Sequence, residues 1–128
     1  MTMTFSAAQW IVRICGILAL IFGLLLWVGD LPLGMIPVHM LLGVLVVLGL
    51  WLLAAVSSQM GIPVGMAVGV AIIGLLVAIL GFTQNSLLPG GTHWVIQALH
   101  LILGMAAVGS GEMIGGRVRR SRLAPTQA

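Results

Sequence analysis

The stretch PVHMLLGVLVVLGLWLLAAVS, Pro37 to Ser57, decides the fold. It holds no Asp, Glu, Lys or Arg, and its one ionisable side chain is His39. A bilayer core of about 30 Å needs about 20 apolar residues per helix, so this stretch is long enough to cross it. Its flanks repeat the pattern. Trp10 to Gly29, Ile62 to Phe82 and His93 to Ile114 have similar length and character, and the intervening GDLPLGMIP, SSQMGIP and TQNSLLPGGT carry turn chemistry. Short connections make successive helices antiparallel neighbours. The expectation is an all-α, up-down, transmembrane four-helix bundle forming one integral membrane domain over residues 1–128, with a basic tail at 117–128.

Composition agrees. Hydrophobic residues make up 61% of the 128 and charged residues 5%, too apolar for a domain with a water-facing surface. No Asp, Glu, Lys or Arg occurs from residue 31 to 111, so polar work there falls to His, Gln, Asn, Ser, Thr and backbone. Four of the five arginines, Arg117, Arg119, Arg120 and Arg122, follow the last apolar segment. In that position they read as a cytoplasmic anchor that touches anionic lipid, not as a nucleic-acid patch. An even number of spans then puts both termini in the cytoplasm, as expected for a bacterial inner-membrane protein. The first apolar segment is too long for a cleavable signal peptide and lacks a small-residue cleavage site, so it is expected to remain as a helix. Cys15 has no partner for a disulfide and reads as a small buried hydrophobe. Trp10, Trp27 and Trp94 suit the membrane interface, and Trp51 suits packing. The polar end, Ser121 to Ala128, is expected to be disordered.

Helices associate in lipid through small residues that let backbones approach. Gly61, Gly65 and Gly69 repeat every four residues at the start of span three, and Ala67, Ala71, Gly74, Ala78 and Gly81 make a second small face. One face suits the bundle and the other a second copy or another subunit. Gly16, Ala19 and Gly23 form a milder version on span one.

Ionisable side chains inside membrane segments are costly and tend to mark function. VHMLLG (38–43) and LHLILG (99–104) each place a histidine in an aliphatic run with a glycine four residues later, so Gly43 and Gly104 share a helix face with His39 and His100. Spans two and four run in the same direction. Two imidazoles facing one another across a gap hold a haem iron from both sides, and a glycine one turn away removes a side chain that would meet the flat macrocycle. On span four His93, Gln97, His100, Gly104, Ala107 and Gly111 form one stripe, with His93 or Gln97 placed to bond haem propionates. Counted from the span starts, His39 and His100 differ in depth by about 7 Å. Each histidine taken alone also suits a neutral imidazole bonded to a backbone carbonyl.

With this four-span plan and the repeated His-x-x-x-Gly figure, the chain resembles the small four-helix membrane cytochromes b. The resemblance implies that His39 and His100 are the axial ligands of one haem b near the outer face, and that electrons are exchanged with quinone, a partner subunit or an outside redox protein. It departs from the di-haem members, which use four histidines in two layers.

Other readings attach to other residues. Met35, His39, Met40 and His93 offer soft and borderline ligands for copper. Arg13 and Glu112 fall near the same membrane face and suit an inter-helix ion pair, since either alone would be costly to bury. Small multidrug exporters share the size and four spans but place an essential glutamate in span one, where this chain has Arg13. The leading expectation is a haem-carrying electron-transfer subunit without independent catalysis. A cofactor-free scaffold, docking through its glycine faces to a larger complex or to itself, is the alternative, and a small transporter is third.

Overall fold

The computed structural model describes residues 2–123. Four helices, α1 (Thr2–Val28), α2 (Ile36–Ser58), α3 (Val64–Thr83) and α4 (His93–Leu123), form the expected bundle, with 3₁₀ turns at Leu33–Met35 and Gln84–Ser86. All four are long and apolar enough to cross a membrane, and no strand occurs among the described residues. Aliphatic side chains such as Ile14, Ile17, Leu48, Ile72 and Ile102 are exposed on the outside of the bundle, the surface an integral membrane protein presents to lipid.

Helix ends follow local chemistry. At the end of α1, Gly29 takes φ +84° and the Asp30 N–H donates to the Leu25 carbonyl at 2.9 Å, which caps carbonyls the helix leaves open. Pro37 lies in the first turn of α2, where its missing N–H costs nothing. Gly61 turns the chain between α2 and α3 at φ +79°. Two helices exceed the spans expected from hydropathy. The start of α1 reaches back to Thr2 because Phe5 and Ala8 are buried in the core, and α4 runs on through Arg117, Arg119, Arg120 and Arg122 because arginine is a good helix former in water. Of the tail expected to be disordered, Ser121–Leu123 is helical, and residues 124–128 lie outside the described residues.

The core is densest at the arginine-bearing end. Ala8, Val12, Leu50, Leu53 and Ile114 are essentially inaccessible there. Close approach depends on glycine: a Cβ on Gly49 or on Gly111 would sit 2.8 Å from a Val12 methyl, and one on Gly115 would overlap Gln9. Ser57 and Ser110, the buried polar side chains of this core, donate to the carbonyls of Ala54 and Ala107 within their own helices. No hydroxyl there is left without a partner.

The small residues of α3 lie in different surroundings. A Cβ on Gly74 would lie 3.2 Å from the Trp51 indole nitrogen, whose N–H donates to the Ala71 carbonyl at 3.1 Å. Ala67 is buried on the same side. Gly65 and Gly69 face away from the bundle, with no atom of the described residues within 4 Å of where a Cβ would lie, whereas Gly61, expected on the same stripe, lies in the turn before the helix.

Candidate functional site

The histidines meet. His39 from α2 and His100 from α4 place their ring centroids 6.1 Å apart at an interplanar angle of 74°. The offset counted from the helix starts, Ile36 to His39 and His93 to His100, does not keep the two rings apart. Each ring rests on a glycine of the helix preceding its own: a Cβ on Gly23 of α1 would lie 2.9 Å from His39 Cε1, and one on Gly81 of α3 would lie 3.2 Å from His100 Cε1. The α1–α2 and α3–α4 hairpins therefore repeat one device, a glycine seat on the first helix and an imidazole on the second.

Both rings line a cavity of about 490 Å³ that occupies the half of the bundle away from the arginines. Gly43 and Gly104 line it too, one turn from their histidines. A Cβ at Gly43 would point into open space, and one at Gly104 would touch only Leu20, at 3.3 Å. The Nδ1 atoms of His39 and His100 are buried and have no hydrogen-bond partner among the described residues. Leaving a buried polar atom unpaired costs about 1–3 kcal/mol, a cost that a ligand bonding these rings would offset.

The mouth of the cavity is polar. His93, Gln97, Gln84 and Asn85 line it, and His93 Nδ1 is 3.1 Å from the Leu87 carbonyl, which ties the start of α4 to the preceding loop. Sequence reasoning found His93 and Gln97 through the stripe on span four. It missed Gln84 and Asn85, which look like ordinary turn residues until the 3₁₀ turn folds them toward the cavity. It also read Gly23 and Gly81 as helix-packing residues, with no signal that an imidazole would sit on each.

Among the described residues no three of His, Cys, Asp and Glu gather in one place. A ligand held by two imidazoles must therefore bring the rest of its own coordination. Haem does so. A bond of about 2 Å from the metal to each ring sets the two centroids about 6 Å apart, close to the separation found here. The cavity also falls within the range of cofactor sites, about 300–1,000 Å³. On the orphaned nitrogens, the spacing and the open glycine side, the residues present fit the group.

The ion pair lies at the other end. Arg13 Nε and Nη2 donate to Glu112 Oε1 and Oε2, both at 2.7 Å, in a bidentate fork joining α1 to α4. Gln9 donates to the same carboxylate at 3.4 Å, and the Arg13 guanidinium lies 4.7 Å from the centroid of the Trp10 ring. The pair is about one-third exposed and serves as a clamp at the edge of the bundle.

Compared with protein-family models, curated proteins and solved structures, the chain has no match.

Proposed function

We propose that this protein is a membrane-embedded haem-carrying subunit of the b type, taking part in electron transfer. The observation that carries this reading is the pair of imidazoles, 6.1 Å apart, each with a buried unpaired nitrogen, on the wall of a cavity large enough for a cofactor. His39 and His100 would hold the haem iron. Gly23 and Gly81 hold the two rings in place, and Gly43 and Gly104 keep the space beside them clear. At the mouth, Gln97 and His93 accept the role of bonding propionates, joined by Gln84 and Asn85. Haem bound there supplies a reversible one-electron couple. The surrounding aliphatic side chains exclude water, and donor and acceptor are a quinone, a partner subunit or a redox protein reaching the polar mouth.

The arginine cluster supports a topology with both termini in the cytoplasm and the cavity toward the outer face of an inner bacterial membrane. The absorption spectrum tests the function. Protein purified from a haem-replete host should show a Soret band, with α and β bands on reduction, and His39→Ala or His100→Ala should abolish them while helicity is kept. Colourless, folded wild-type protein would overturn the proposal. It would favour the second reading, a cofactor-free scaffold, for which the outward-facing Gly65 and Gly69 of α3 offer a docking face.

A further inference from the structure

A second cavity, of about 220 Å³, lies at the arginine-bearing end between the first turns of α1 and the last turns of α4. Arg13, Arg119 and Arg122 line it together with Ser6, Gln9 and Trp10, over a floor of Phe5 and Val118 that is almost wholly buried. The helical spacing explains the convergence: Arg119 and Arg122 are three residues apart on α4, and Ser6, Gln9, Trp10 and Arg13 follow one face of α1.

The charges in this cleft do not balance. Arg13 is neutralised by its fork to Glu112, whereas Arg119 and Arg122 form no ion pair among the described residues; Arg122 has only the Met60 sulfur at 3.9 Å. Two guanidiniums in excess, with hydroxyl and amide donors opposite, form a receptor for a phosphate group, which arginine meets with paired N–H donors. Below the cleft the surface is apolar. Trp10 and Ile14 are each 52% exposed along the side of α1 that descends toward the middle of the bundle. A ligand with an anionic head and a hydrocarbon tail matches both parts.

We propose that this cleft is a specific site for the phosphate headgroup of an anionic membrane lipid, with the acyl chains lying along α1. The inference is independent of the haem reading, since the cleft shares no residue with the histidine cavity. It goes beyond general attraction of a basic tail to a charged membrane because it singles out two of the four clustered arginines. Arg117 and Arg120, also exposed, lie outside the cleft.

Native mass spectrometry of the full-length protein released from detergent, titrated with phosphatidylglycerol, phosphatidylcholine or inorganic phosphate, tests the proposal. Wild type should take up phosphatidylglycerol in preference to phosphatidylcholine. An arginine near the membrane surface contributes about fivefold to such binding, so R119Q/R122Q should weaken it about thirtyfold. R117Q/R120Q removes the same charge and should change it less than about threefold. Inorganic phosphate that binds with the same dependence on Arg119 and Arg122, while phosphatidylglycerol does not bind, would overturn the lipid assignment and leave a free-phosphate site. Equal losses in the two double variants, or no preference for phosphatidylglycerol in wild type, would overturn the site itself.

Discussion

The two ends of this bundle use the same small residues for opposite purposes. At the arginine-bearing end, Gly49, Gly111 and Gly115 let helices close until the Val12 methyls and the Gln9 side chain fill the space a Cβ would need. At the histidine-bearing end, Gly43 faces open space, and Gly23 and Gly81 lie beneath imidazole rings. One end is packed like a protein interior and the other is hollow. A chain this apolar could have filled the hollow with leucine; instead it keeps two unpaired ring nitrogens there, at a cost that an occupant would recover.

The substitution expected to break this contrast most completely is His100→Ala. It should eliminate bound haem while leaving the fold intact, because the ring takes no part in the dense core, and the reduced-minus-oxidised spectrum checks it. Stability of the cofactor-free form should be unchanged or slightly raised, since the substitution also removes an unpaired buried nitrogen.

Gly111→Leu attacks the other end. Overpacking against Val12 and Leu50 should destabilise the bundle by about 1–3 kcal/mol or more, seen as a fall in the thermal midpoint in detergent. The same substitution at Gly43, in the hollow half, should leave the midpoint of the cofactor-free protein nearly unaltered and reduce haem uptake.

Gly23→Ala and Gly81→Ala should have intermediate effects. A methyl at either position forces an imidazole to shift by a few tenths of an ångström, so haem retention should drop several-fold, measured as haem per chain after size-exclusion chromatography. Identical retention in both variants and wild type would show that the glycine seats do not position the rings. Gly65→Ala on the outward face of α3 should have the smallest effect, within about 0.5 kcal/mol for the isolated chain. A large loss there would reveal a second copy or a partner on that face.

Much of this contrast was legible in the sequence. The four spans follow from apolar runs of membrane length, and the His39–His100 and Arg13–Glu112 pairs follow from the rarity of ionisable groups in such runs. What stayed hidden depends on contacts between helices or on chain outside the apolar runs. Gly23 and Gly81 differ from other small residues only because of what faces them, which periodicity along one helix does not encode. Gln84 and Asn85 depend on the direction of a loop. The extra turns of α1 and α4 carry polar and charged side chains, so a hydropathy boundary falls where the membrane ends even though the helix continues.

The most direct test of the paired imidazoles is the electron paramagnetic resonance spectrum of the oxidised protein at low temperature. Imidazole nitrogens from both histidines would make ferric haem low-spin, and rings held near the present 74° between His39 and His100 would leave two iron d orbitals nearly equal in energy and make the signal strongly anisotropic. Such a signal, lost in either histidine variant, is the predicted result. A high-spin signal, or iron-free wild-type protein that is fully folded, would contradict it.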